Sequence, residues 1–164
     1  MSLFHLKPET KTLICIGSGG VGKTTLAATL AIGKAHEGLK VLVLTIDPSL
    51  RLAQALGMKA DGEIHDLTTE SIRNNKGQLF ACVIQHDKAF AEFIVKASGN
   101  KLASADIEKL TNNKLYKQLS TKLSGSQEFT SLFKLSSYVQ SGEYDLVILD
   151  TPPAQHTWQF LKAP

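Results

Sequence analysis

One stretch of the sequence has the residue types and spacing that suit phosphate binding. Residues 17–24 are Gly-Ser-Gly-Gly-Val-Gly-Lys-Thr, which matches the pattern G-x-x-x-x-G-K-[ST]. Glycines adopt backbone conformations that let successive N–H groups point at an anion. We expect Lys23 to reach the β- and γ-phosphates of a nucleotide and the Thr24 hydroxyl to ligate Mg²⁺. The alternative is a glycine-rich turn with a surface lysine.

The whole loop and the residue after it are predicted to contact the nucleotide. Lys23 is also expected to act in catalysis, and Thr25 could face the α-phosphate. The predicted contact residues are Gly17, Ser18, Gly19, Gly20, Val21, Gly22, Lys23, Thr24 and Thr25.

Two aspartates each follow an apolar run that is typical of a buried strand. Asp47 ends one run and Asp150 ends another. Ligands of open α/β sheets bind beyond the carboxyl ends of the strands, so both carboxylates are expected near the loop. Asp150 would hold Mg²⁺ through water, and Asp47 would orient or deprotonate the attacking water. The alternative for both residues is a structural role at a helix cap or turn.

The elements that must position these residues follow from apolar runs and glycine stops. Strands are predicted at 13–16, 41–46, 79–84 and 145–149, and helices at 23–36 and 49–56, the latter capped by Ser49. Residues 57–78 give only a weak prediction. A strand–helix–strand order with continuous apolar strands predicts an α/β fold with a doubly wound parallel sheet in three layers. We expect residues 1–164 to form a single domain.

A helical segment at 87–141 is predicted to be inserted before the last strand. Phe90, Phe93, Ile94 and Ala97 follow helical spacing. Two further stripes comprise Leu115, Leu119 and Leu123, and then Phe129, Leu132, Phe133 and Val139. Leucine and phenylalanine at this spacing favour core packing over the sheet, with a client-binding surface as the alternative.

The composition limits the class of protein. Of 164 residues, 43% are apolar and 20% charged, which excludes a disordered chain or a coiled coil. A dispersed net charge of +3 does not predict nucleic-acid binding. No apolar run approaches the roughly 20 residues of a membrane span. Because no basic and apolar leader opens the chain, we expect a cytoplasmic protein with no transmembrane segment.

The cysteines and histidines give no metal-binding pattern. Cys15 and Cys82 both lie in apolar runs and are interpreted as buried thiols rather than as a disulfide or a metal pair. Four histidines lack metal-ligand spacing and are interpreted as structural or surface residues. These are His5, His36, His65 and His86.

Three motifs together resemble the ArsA family. They are the loop at 17–24, the segment Thr45-Ile46-Asp47-Pro48-Ser49, and residues 150–164, which are similar to the family pattern D-T-A-P-x-x-H-T-x-x-F-L-x-x-P almost throughout. The family comprises arsenite-pump ATPases and the Get ATPases, which target tail-anchored proteins. It lies within the wider MinD/ParA/nitrogenase iron-protein class of P-loop NTPases. Residues 125–129 are also similar to a segment of its bacterial branch of anion-transporting ATPases.

The resemblance implies Mg-ATP hydrolysis that drives conformational change in a homodimer coupled to a membrane-protein or client-protein partner. It places Asp47 and Pro48 in switch I, where the carboxylate polarises water, and Asp150 at the start of switch II. It places His156 in the segment that reports the γ-phosphate to the rest of the protein; the alternative is a histidine with no ligand role. It also implies ATP and Mg²⁺ as ligands.

Two features depart from the family pattern. The family loop usually carries a lysine where this chain has Ser18, and serine cannot supply that charge across a dimer. Arg51 could substitute for it, or be an exposed helix charge. The family also continues beyond the segment that ends here at Pro164, so we expect the sheet to be incomplete at the C-terminus with one edge open.

The sequence is compatible with other functions. Ser18 and the expected missing C-terminal part favour a nucleotide-binding assembly or regulatory module with little turnover, or a truncated remnant. A small-molecule kinase uses the same loop pattern, although the Asp47 and Asp150 segments argue against it. Arsenite transport is poorly supported because neither cysteine has a thiolate partner in sequence.

Overall fold

Five strands form one sheet in the computed structural model, which describes residues 6–46, 51–97 and 126–151, with side chains from 129 onward in the last of these ranges. The strands are β1 (Thr12–Cys15), β2 (Lys40–Thr45), β3 (His65–Asp66), β4 (Gln78–Val83) and β5 (Leu146–Asp150). Their spatial order is β1-β5-β2-β4-β3. The first four in this order are parallel, and β3 is antiparallel to β4.

Helices cover both faces of the sheet. The described helices are α1 (Lys23–His36), α2 (Arg51–Leu56), α3 (Glu70–Asn74), α4 (His86–Ala97) and α5 (Ser126–Ser141). Within these ranges, no helix combines the length and the apolar character needed to cross a membrane.

Strand β2 shows how one strand supplies two cores. Val41 and Val43 pack with the buried alanines of α1, whereas Leu42 and Leu44 pack on the other face with residues of α4 and α5. Side chains of a strand alternate between faces, so a continuous apolar run requires cover on both sides. The doubly wound α/β class predicted from the sequence is therefore confirmed.

Aromatic rings join the two helices on the second face. The ring centroid of Phe93 in α4 lies 4.6 Å from that of Phe129 and 5.5 Å from that of Phe133 in α5, and both pairs are edge to face. Leu132 and Val139 of α5 pack against the core of this face. These contacts agree with core packing for the described stripes; the stripe at 115–123 lies outside the described residues.

The predicted strands differ from the observed strands by about one residue at each end, and helix α1 has the predicted bounds. The departures lie in residues 57–78, for which the sequence pattern is weak. Strand β3 has only two residues, and it adds an antiparallel edge to a sheet predicted to be wholly parallel. Thr69 caps α3 by accepting a hydrogen bond from the Ile72 N–H, at 3.4 Å.

A close backbone approach explains the glycine that precedes β4. A Cβ added at Gly77 would lie 1.8 Å from the carbonyl oxygen of Ala35 in α1. Any other residue would push β4 away from α1. At the opposite end of the described sheet, β1 pairs with β5 alone, and Ile14 is 39% exposed there.

Candidate functional site

The glycine-rich loop joins the carboxyl end of β1 to the first turn of α1. Gly20 and Gly22 have φ values of 78° and 87°, which lie in the left-handed region that glycine adopts without strain. No side chain caps α1 at Gly22, so its first N–H groups are directed at the loop. The Lys23 Nζ donates a hydrogen bond to the Ser18 carbonyl oxygen at 2.8 Å. Together these donors form a concave surface suited to an anion.

Asp150 lies beside this loop, although it is 126 residues away from Thr24 in sequence. The Thr24 Oγ1 donates to Asp150 Oδ2 at 2.8 Å. Asp150 is fully buried at the end of β5. Hydroxyl and carboxylate oxygens are the hard ligands that Mg²⁺ prefers, so this donor set fits a magnesium ion.

A second threonine contacts the same carboxylate. Thr45 ends β2 and is fully buried, and its Oγ1 donates to Asp150 Oδ2 at 3.3 Å. The register pairs Asp150 with Thr45 on one side and with Cys15 on the other. Thr45 therefore holds the carboxylate oxygen that Thr24 also contacts. Sequence reasoning gave Thr45 no site role; a hydroxyl at the last position of an apolar strand is the signal that could have indicated one.

The neighbouring strand end is fixed by hydrogen bonds as well. The Thr151 Oγ1 donates to the Cys15 carbonyl oxygen at 2.7 Å, and this contact is buried. Burial is the main cause that raises the pKa of the Cys15 thiol, and the nearby Asp150 carboxylate raises it further. The Lys23 ammonium lowers this pKa, but by less. Both Cys15 and Cys82 are buried free thiols, as predicted from the sequence.

A cavity of about 240 Å³ opens between the loop and α2. Six of the predicted contact residues line it, together with Arg51 and Ala55 of α2. The six are Gly19, Gly20, Gly22, Lys23, Thr24 and Thr25. Gly17, Ser18 and Val21 lie on the loop but do not line this cavity. The structure therefore brings together the predicted loop, Lys23 and a cation from α2.

Other predicted site residues cannot be placed. Asp47, Pro48, Ser49 and His156 lie outside the described residues. Among the residues that the structure describes, no group of three or more histidine, cysteine or acidic side chains could hold a metal ion.

Comparison with known proteins gives one consistent family. The model of the ArsA_ATPase family, described as anion-transporting ATPase, matches residues 10–164. A Halobacterium salinarum protein provisionally named an arsenical pump-driving ATPase is 30% identical, over 95% of this chain and 24% of its own length. The ATPase GET3 of Malassezia globosa is 30% identical, over 94% of this chain and 42% of its own. The ATPase GET3B of Arabidopsis thaliana is 29% identical, over 90% of this chain and 38% of its own length.

The chain thus spans about a quarter to two fifths of the length of these relatives. The family match covers nearly the whole chain and includes both the glycine-rich loop and the strand that ends at Asp150. This chain belongs to the anion-transporting ATPase family, ArsA_ATPase.

Proposed function

We propose that this chain binds Mg-ATP at the loop cavity and hydrolyses it. The observation that supports this most directly is the Thr24–Asp150 hydrogen bond of 2.8 Å beside a glycine-rich loop that carries Lys23. Membership of an ATPase family supports ATP as the nucleotide.

Each residue of the site has a separate proposed role. The loop N–H groups and the start of α1 hold the phosphate oxygens. The Lys23 ammonium leaves the Ser18 carbonyl to contact the β- and γ-phosphates. Thr24 would ligate Mg²⁺ directly, and Asp150 would hold it through water. A bound Mg²⁺ neutralises charge on the phosphate chain.

Further roles rest on sequence and family resemblance. Asp47 orients the attacking water, and Asp47, Pro48, Asp150 and His156 form the switch segments that respond to the γ-phosphate. We further propose one domain over residues 1–164, which in a longer chain acts as a homodimer coupled to a membrane-protein or client-protein partner. The two buried free thiols favour a reducing, cytoplasmic location.

Replacing the magnesium ligand tests this proposal. We expect Thr24→Val to remove most of the gain in ATP affinity that Mg²⁺ gives the unaltered chain, because valine keeps the volume and lacks the oxygen. Thr10→Val is the matched control, because Thr10 precedes the amino end of β1 whereas the loop follows its carboxyl end. Calorimetric titration of ATP with Mg²⁺ and with EDTA measures the gain. An unchanged magnesium effect in Thr24→Val would contradict the proposed site.

A nucleotide-binding module with little turnover is the second candidate, favoured by the uncharged, exposed Ser18. It predicts tight Mg-ATP binding with phosphate release no faster than in Lys23→Ala. Phosphate release well above that background favours the ATPase instead.

A further inference from the structure

The cavity beside the loop has a second wall that the proposed function does not use. Arg51 and Ala55 of α2 line it opposite the loop glycines. Residues four apart lie on the same face of a helix, so both side chains project from one face of α2. This face is therefore part of the nucleotide cavity.

Helix α2 is held in place by packing on its other side. Leu52 is 0% exposed and belongs to the core that includes the alanines of α1, and Ala53 is 4% exposed. Since α1 carries the loop at its start, this packing fixes Arg51 relative to Lys23. The packing of Leu52 thereby determines where the Arg51 side chain begins.

Among the residues that the structure describes, the charges that line the cavity are of one sign. The charged lining residues there are Lys23 and Arg51, and no acidic side chain of the described ranges lies among them. Within the described part of the chain, no carboxylate lies at ion-pair distance from the Arg51 guanidinium, whereas Lys34 and Lys134 are each paired with a glutamate. The guanidinium thus has donors available to an anion in this cavity.

We propose that Arg51 binds the phosphate chain of the nucleotide, opposite Lys23 in the loop cavity. A guanidinium is planar, permanently charged and able to donate two parallel hydrogen bonds to a phosphate. Among the described lining residues, Arg51 is the second cation beside Lys23. This inference rests on the proposed function, because it assigns a further contact to the same ligand.

Calorimetric titration with Mg-ADP and with inorganic pyrophosphate tests the assignment. We expect Arg51→Ala to bind both ligands about tenfold more weakly, in line with the loss of a charge-assisted hydrogen bond. Arg51→Lys should be intermediate, because an ammonium keeps the charge without the planar pair of donors. Arg73→Ala, which removes an exposed arginine of α3 that does not line the cavity, should match the unaltered chain.

Two outcomes would overturn the assignment while leaving the proposed function intact. One is equal affinity of Arg51→Ala and Arg73→Ala for Mg-ADP. The other is weaker binding of Mg-ADP but not of pyrophosphate, which would place Arg51 against the sugar or the base. By contrast, if the unaltered chain bound no better than Lys23→Ala, the proposed function would itself fail.

Discussion

Two cavities of this molecule differ in ways that matter more than their size. The loop cavity of about 240 Å³ is lined by three loop glycines, two threonines, an alanine and two cationic residues. A larger cavity of about 360 Å³ lies beside the end of β4, with Cys82, Lys88, Glu92, Lys134 and Tyr138 in its lining.

The charges of the larger cavity neutralise each other. Lys134 Nζ lies 2.6 Å from Glu92 Oε2, and Lys88 Nζ lies 3.7 Å from Glu63 Oε1. Each of these ammonium groups thus faces a carboxylate. The described lining of the loop cavity instead has two cations and no acidic side chain, with the Asp150 carboxylate next to Thr24. The comparison favours the loop cavity as the proposed anion site because of its charge rather than its volume.

Asp150→Asn is expected to have the largest effect on magnesium binding, because it removes the carboxylate that contacts Thr24 beside the loop cavity. Asparagine keeps the volume and still accepts from Thr24, but it lacks the negative charge that would hold Mg²⁺. We expect magnesium affinity with bound ATP to fall roughly 10- to 100-fold. Magnesium titration of the ATP complex measures this. Asp145→Asn, at the exposed start of β5, serves as the control, and equal losses in both variants would refute the magnesium role.

The stability of the protein at alkaline pH tests how well the Cys82 thiol, beside the larger cavity, is shielded from water. Burial raises the pKa of the Cys82 thiol from 9.0 to about 11, so the unfolded chain loses this proton first. The thiol's contribution to stability is therefore complete below pH 9 and is lost as pH rises towards 11. At pH 10 the loss is about 1.4 kcal/mol, one pKa unit's worth. Urea unfolding from pH 8 to 10.5 measures this loss. If the free energy of unfolding fell with pH by the same amount in Cys82→Ala, the Cys82 thiol would not be its cause.

Thr45→Val is expected to have a moderate effect on the loop cavity. The variant removes the 3.3 Å hydrogen bond to Asp150 while filling the same buried volume. Loss of one such hydrogen bond costs about 1 kcal/mol, so we expect roughly fivefold weaker magnesium affinity. Thr45→Ser should restore it by keeping the hydroxyl. If Thr45→Ser and Thr45→Val behaved alike, a positioning role for the hydroxyl would be wrong.

Glu92→Gln is expected to have the smallest effect. It removes the charge partner of Lys134. The Lys134 side chain is 16% exposed and the Glu92 side chain is 52% exposed. Pairs this close to solvent contribute about 1 kcal/mol or less, so the free energy of unfolding should fall by no more than that. Mg-ATP affinity should be unchanged. A variant with altered nucleotide affinity would show that the larger cavity communicates with the loop.

The sequence was sufficient for features that depend on local pattern. Apolar runs located β1, β2, β4 and β5, of which β2 and β5 are buried on both faces. The convergence of Thr24 and Asp150 followed from the rule that parallel strands end at one edge, which applies at any separation in sequence.

Other features depend on tertiary contacts that no local pattern encodes. Strand β3 has two residues, too few for an alternating pattern to emerge, and it exists because β4 offers an edge to pair with. The position of Arg51 beside the loop depends on how Leu52 packs against α1. The sequence favoured an exposed helix charge at Arg51 over a substitute cation, and the structure shows an exposed residue that also lines the cavity.

We expect nucleotide to bind in the loop cavity rather than in the larger one. Calorimetric titration of Mg-ATP into the unaltered chain, Lys23→Ala and Lys134→Ala compares one lysine from each cavity. We predict roughly 100-fold weaker binding in Lys23→Ala, as expected when a charged phosphate contact is lost, and unchanged binding in Lys134→Ala. Unchanged affinity in Lys23→Ala together with weaker binding in Lys134→Ala would contradict this account.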